Sequence, residues 1–364
     1  MSDCTGRPEK AAVNRRVALV RIGSGLAAPG LVSLVATARA RAVVDDVPMP
    51  RFELVDVRKI WSGAPHNAFT GLVRHGGKWF CVFRESTGHI PGSDGVIRVL
   101  TSGDARAWSS AAVVAEAGVD LRDPKIDVTA AGRLMILLGG SVYAGRSGQP
   151  SRSFVRARSE VAFSHDGHAW SEPVPVSLEG QWLWRVTWHG QAGFGFAYRV
   201  DEAEKTSDIT LWKTADGVAY QRLADPKLPA GVRPDETTIR FLADETMVAL
   251  VRNDARPAHA FIGTSRPPYA QWHWSDAGHP AQGPDFLVLP DGRMIYSGRD
   301  YPDGARTVVG LMTTRAVTPV LTLPSGGDTS YPGLVWHDGR LWVSYYASHE
   351  GRTSIYLAEV RVGS

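Results

Sequence analysis

The sequence predicts an all-β chain closed into a six-bladed β-propeller. Two periodicities and the composition carry that expectation. The stretch "SHDGHAW" at 164–170 has looser copies in "SGDARAW" at 102–108 and "TADGVAY" at 214–220. All three read hydroxyl-x-Asp-(x)3-aromatic, with starts 62 and 50 residues apart. Internal repeats of this length belong to propellers or solenoids. The second periodicity is a strand, a tight turn and a further apolar strand, found six times with starts near Asn67, Pro124, Trp184, Glu236, Asp285 and Tyr331. These starts lie about 50 to 60 residues apart, the size of a four-stranded blade. With 38 Gly, 23 Pro, 12 Trp and 43% apolar residues, the composition is that of a turn-rich, aromatic β protein with a sizeable core.

The elements follow in chain order. Residues 1–42 read as an export signal: "NRRVALVRIGSGLAAPGLVSLVATARARA" joins a twin arginine to a mildly apolar stretch and two small-x-small sites at 38–40 and 40–42. This segment resembles a twin-arginine signal, and the protein is expected in the periplasm or outside the cell. The apolar run is short and broken by Arg21 and Pro29, so no stable membrane span is expected. Arg7, Lys10, Arg15, Arg16, Arg21, Arg39 and Arg41 face only Asp3 and Glu9 here, while the whole chain carries +3. The remainder is therefore slightly acidic, and nucleic acid is not an expected partner. Of two cysteines, Cys4 leaves with the signal and Cys81 sits in the apolar "WFCVF", so no disulfide is available. The 11 histidines form no tight cluster in sequence; no metal and no cofactor are expected.

Residues 43–364 are expected to be one propeller domain, with two β-sandwiches as the rival arrangement. The sixth blade has only "TSIYLAEVRV" after its hairpin at 331–346, so "FELVDVRKIW" at 52–61 is expected to supply the missing strand and close the ring. In every hairpin the connecting turn (Gly76-Gly77, Gly132, Gly190, Asp244, Asp291-Gly292, Asp338-Gly339) lies at one rim, and the strand start and return lie at the other. That second rim gathers His66, Asn67, Arg84, Glu85, Arg122, Asp123, Trp184, Arg185, Tyr198, Asp235, Glu236, Arg252, Arg299, Asp300, Tyr331, His349 and Glu350. Several arginines at one mouth point to an anionic ligand, because a guanidinium grips a carboxylate with paired hydrogen bonds. Structural ion pairs between blades are the competing use. Trp182, Trp184 and Trp188 are expected in the core.

On these residues the chain resembles the sialidase (neuraminidase) superfamily of Asp-box propellers over roughly 50–364. "DETTIRFLADETMVALVRND" offers the family's blade-opening Glu236 and strand-ending Arg252; "GPDFLVLPDGRMIYSGRD" offers Arg299; "SYPGLVWHDGRLWVSYY" offers Tyr331. Arg84, ending "WFCVFRE", lies where the family has an arginine. The chain departs from the family in blade one, where "PHNAF" puts His66 and Asn67 in place of an Arg-Ile-Pro opening, and its Asp boxes are one residue shorter. The loop "STGHIPGSDG" supplies Asp94 and His89 where the family has its acid/base aspartate.

The resemblance implies an exo-acting glycoside hydrolase that removes a terminal acidic sugar, as a monomer and without a cofactor. A neutral tyrosine suits an anomeric centre that bears a carboxylate, because a carboxylate nucleophile would be repelled. Tyr331 is then the nucleophile and Glu236 its base. Arg252 and Arg299, with Arg84, hold the substrate carboxylate, and Asp94 is the acid/base. His89 and Asp123 stand in reserve for that last role, and Arg185, Asp123, His66, Asn67 and His89 are further substrate contacts. Two other readings stay open: a lyase in which Tyr331 or His66 abstracts a proton beside an arginine-held uronate, and a carbohydrate-binding propeller without turnover.

Overall fold

A computed structural model of the chain describes residues 50–363, apart from 91, 150, 177, 179 and 201–207. The expected export signal at 1–42 lies outside the described residues. The rest is all-β, with no helix among the described residues, and none long and apolar enough to cross a membrane.

Six antiparallel sheets form six blades, at residues 66–114, 120–175, 181–224, 234–276, 282–322 and 329–362. The first strands of consecutive blades touch one another in a closed ring around the axis. Blade six is completed by Phe52–Trp61, which runs antiparallel to Ser354–Val362 from the pair Phe52–Val362 to the pair Trp61–Ile355. The last blade thus contains both ends of the fold, as its short sequence required. Six hydrophobic clusters fill the six seams between blades; the seam between five and six, for example, joins Leu289, Ile295 and Val309 to Leu341, Val343 and Tyr345. Cys81 is fully buried in the seam between six and one, where burial pushes its thiol up to about 12, so it acts as a small hydrophobe.

The repeated motif forms the same turn in blades one, two and three. In the second copy Asp166 Oδ1 accepts from His168 N–H at 2.8 Å and Ala169 N–H at 2.9 Å, and Trp170 Nε1 donates to Gly167 O at 3.0 Å. Asp104 and Asp216 accept the corresponding pairs of amides. The turn needs a left-handed residue after the aspartate. Gly167 and Gly217 take it at φ 78° and 84°, whereas the first copy forces Ala105 to φ 58°. Left-handed alanine is strained by about 1–2 kcal/mol, and glycine returns about 0.4–1 kcal/mol through unfolded-chain entropy. Ala105→Gly is therefore expected to stabilise the protein by about 0.5–1 kcal/mol in chemical denaturation.

A second regularity builds the mouth. The inner strand of five blades breaks register at the same height, skipping Phe69-Thr70, Asp123-Pro124, Asp235-Glu236, Gly283-Pro284 and Tyr331-Pro332. In blade three the inner strand is divided outright into Gln181–Leu183 and Thr187–His189, with Trp184 and Arg185 in the gap. A bulge leaves one residue out of the ladder and re-aims its side chain. Proline suits three of these sites because it has no N–H to pair. Phe69, Asp123 and Tyr331 are left-handed at φ 64°, 47° and 50°. Such backbone conformations cost of order 1–3 kcal/mol each and persist only where surrounding packing enforces them.

Candidate active site

Two of these bulges meet. The Tyr331 hydroxyl donates to Glu236 Oε1 at 2.6 Å, although the two residues are 95 positions apart. Arg252 Nη1 donates to the Tyr331 oxygen at 3.0 Å and stands 2.9 Å from the same carboxylate oxygen. Arg252 Nε donates to Asp254 Oδ1 at 2.8 Å, which fixes the guanidinium. The second oxygen of Glu236 accepts from Gly283 N–H at 2.7 Å. A phenol, a carboxylate and a guanidinium therefore form one closed hydrogen-bonded triangle, braced by the bulge of the next blade.

The ring of Tyr331 is wedged edge-on against Phe69 and Trp184, with centroids 5.1 and 5.6 Å away. The Arg299 guanidinium lies 5.3 Å from its centroid. Burial, then the Glu236 charge, push the Tyr331 hydroxyl well above its usual value, while Arg252 and Arg299 pull the other way. At neutral pH it is a phenol that shares its proton with a carboxylate. Burial and Glu236 also push Asp235 up to about 7. Beneath the site Lys125 is buried 4.3 Å from the Trp184 ring centroid, and burial pulls it down to about 8 against the charges of Asp123, Glu236 and Asp285. Trp182 and Trp184 are buried, as the sequence predicts, whereas Trp188 is half-buried against the seam between blades two and three.

Beside Tyr331 opens a cleft of 710 Å³ lined by Phe69, His89, Arg122, Asp123, Tyr143, Arg152, Trp182 and Tyr198 among others. An 800 Å³ groove shares Phe154, Ala157 and Val200 with it and continues along blade two. Asp123 reaches the cleft from its own bulge; burial raises its carboxyl, against the pull of Arg122 and Lys125. Arg122 lies over the Phe69 ring at 5.5 Å, with Asp120 at 4.0 Å and the Asp123 charge also acting on it. Asp123 and Asp120 both hold its charge, and no local pattern in the chain singles it out from the other rim arginines.

The structure uses several predicted residues differently. Arg84 is wholly buried: Nε donates to Asp120 at 2.8 Å, and its terminal nitrogens donate to Gly88 O at 3.0 Å and Ser93 O at 3.3 Å. It fastens both ends of the loop that carries His89, and no nitrogen is left for a substrate carboxylate. Arg84→Lys keeps a charge near Asp120 but loses the two carbonyl bonds. It is expected to lower stability by about 1–3 kcal/mol in a denaturant melt. Arg185 is buried beside Asp285, 3.3 Å away, beneath the mouth. Asn67 is fully buried and its amide binds Ala64 O and Thr353 O, each at 2.8 Å, across the seam between blades one and six. Asp94 is paired with Arg152, and its N–H donates to Ser147 Oγ at 2.7 Å. That ion pair commits its carboxylate to Arg152. Arg299 faces the ring of Tyr331 but donates to Thr329 O at 2.8 and 2.6 Å and to the Tyr346 hydroxyl at 3.1 Å.

The fold also assembles a histidine cluster that the sequence spacing hides. His66 Nε2 and His89 Nδ1 lie 3.0 and 2.8 Å from one oxygen of Asp328, and the Tyr346 hydroxyl donates to the other at 2.8 Å.

The architecture has clear counterparts. A protein of unknown function from Dyadobacter fermentans superposes with TM-score 0.73 at 18% identity, covering 86% of this chain and all of that one. Trypanosoma rangeli sialidase in complex with sialic acid superposes with TM-score 0.61 at 13% identity, covering 82% of this chain and 54% of the sialidase. The fold is a sialidase-like six-bladed propeller. This propeller also matches the Penicillium chrysogenum α-L-arabinanase complexed with arabinobiose, with TM-score 0.62 at 14% identity over 84% of this chain and 98% of that one. The propeller thus shares its architecture with glycoside hydrolases of different specificity. Neither a protein-family model nor a curated protein matches its sequence.

Proposed function

We propose that the protein is an exo-acting glycoside hydrolase that releases a terminal acidic sugar, by way of a tyrosyl-enzyme intermediate. The observation that carries this reading is the 2.6 Å bond from the Tyr331 hydroxyl to Glu236, with Arg252 on both. A phenol at pKa about 10 is a poor nucleophile until a base takes its proton. Glu236 is positioned for that transfer. Arg252 stabilises the phenolate oxygen as it forms, and Arg299 adds positive charge over the ring. An arginine-rich mouth favours a sugar that carries a carboxylate, with Arg122 completing the set that Arg252 and Arg299 begin. An uncharged attacking oxygen avoids repulsion from that carboxylate.

The test is turnover of fluorogenic sialosides and other aryl glycosides of acidic sugars by the purified protein, with Glu236→Gln alongside. Glu236→Gln is expected to lower kcat by about 10²–10⁴-fold, the usual yield of a positioned base. Absence of hydrolysis on every acidic glycoside would overturn the reading. So would an unsaturated, ultraviolet-absorbing product, the mark of a lyase.

A further inference from the structure

We propose that His89, held by Asp328, is the proton donor to the leaving group and the base for the water that follows. The inference rests on the tyrosyl-enzyme reading above and supplies the group that reading lacks.

The geometry comes from four segments. Arg84 ties down Gly88 O and Ser93 O, so the short loop between them is anchored at both ends and presents His89 at the cleft wall. His89 Nδ1 is 2.8 Å from Asp328 Oδ2. That contact assigns the Nδ1 proton to the bond with the carboxylate and leaves Nε2 for chemistry, the arrangement of a carboxylate-oriented catalytic histidine. The His89 side chain is 46% exposed, so it can reload its proton from solvent. Its ring stands edge-on to Phe69 at 5.2 Å, and Phe69 meets Tyr331 at 5.1 Å. Donor and nucleophile therefore flank one aromatic ring at the edge of one cleft.

Asp328 is suited to orient it. Burial opposes its ionisation, but bonds from His66, His89 and Tyr346 hold it far below the usual carboxylate range. Burial lowers His66, against the pull of Asp328. The Asp328 oxygen thus faces two imidazoles, of which His66 is buried and His89 is open to solvent. The other carboxyl groups fit the role less well. Asp94 is neutralised by Arg152, and Asp123 lies on the cleft floor between Arg122 and Lys125.

The two half-reactions balance. In the first, Tyr331 passes its proton to Glu236 and its oxygen bonds to the anomeric carbon. The glycosidic C–O bond breaks and the leaving oxygen takes the Nε2 proton of His89. In the second, neutral His89 takes a proton from water and the hydroxyl bonds to the anomeric carbon. The tyrosyl C–O bond breaks, and the phenolate recovers its proton from Glu236.

The test compares leaving groups. His89→Ala and His89→Gln are assayed on an aryl glycoside, whose phenolate departs unaided, and on an alkyl glycoside of the same sugar, whose alkoxide needs a proton. Expected are a loss of about 10²–10⁴-fold in kcat/KM on the alkyl glycoside and less than about 10-fold on the aryl one. Azide, which needs no base, is expected to restore aryl turnover and to yield the glycosyl azide. Asp328→Asn is expected to show the same leaving-group selectivity at reduced size, which a purely structural role would not produce. Equal losses on both substrates, no azide product, or the selective loss appearing in Asp123→Asn instead would overturn the assignment and leave the Tyr331–Glu236 reading standing. A wild-type protein that cleaves neither glycoside would overturn both.

Discussion

Tyr331→Phe is expected to reduce kcat on an aryl glycoside of an acidic sugar by about 10³-fold or more, while the protein stays folded. The substitution removes one oxygen and keeps the ring that packs on Phe69 and Trp184. Glu236 keeps Arg252 at 2.9 Å and Gly283 N–H at 2.7 Å, so neither carboxylate oxygen is left bare. That is why the stability change should be small, about 1–3 kcal/mol for the two hydrogen bonds of the lost hydroxyl. Substrate affinity, measured by calorimetry on the inactive variant, should change little, because Arg252 keeps Glu236 and Asp254 as partners. Retention of more than a tenth of the activity would remove tyrosine from the mechanism.

Gly283→Ala should be nearly as damaging although glycine has no side chain to contribute. A Cβ at this position would stand 2.7 Å from Cγ and Cδ2 of Tyr331, and the residue is left-handed at φ 59°. The ring cannot yield easily, since Phe69 and Trp184 close its other sides. Overpacking of about 1–3 kcal/mol adds to left-handed strain of about 1–2 kcal/mol, so a loss of about 2–5 kcal/mol in denaturant unfolding is expected. Displacement of the phenol by about 1 Å would cost about 10²-fold in kcat/KM. Wild-type kinetics in this variant would show that the position of the ring does not govern the rate.

Much of this architecture could be read from the chain because local chemistry and global fold agree. The Asp turns satisfy their own amides, so their spacing survives as a sequence pattern. The antiparallel rule then sorts strand starts from turns, which was enough to bring Glu236 and Tyr331 to one rim. The rule could not choose side-chain direction. Alternation fails at a bulge, and every inner strand has a bulge or a break where the mouth forms. Arg84 shows the other gap. A strand-ending arginine at the rim can face the cleft or the loop beside it, and the choice was made by Asp120, 36 residues on and in the next blade. Asp328 was invisible for a similar reason: its partners lie 262 and 239 residues away, beyond any local motif.

The clasp in blade six has a consequence for synthesis. Phe52–Trp61 leaves the ribosome before any other strand of the ring, yet its partner Ser354–Val362 is the last to appear. The disc cannot shut before Ser354–Val362 has been made, however quickly its early hairpins form. Until Ser354–Val362 emerges, Leu341, Val343 and Tyr345 lack the Tyr356, Ala358 and Val360 that pack with them.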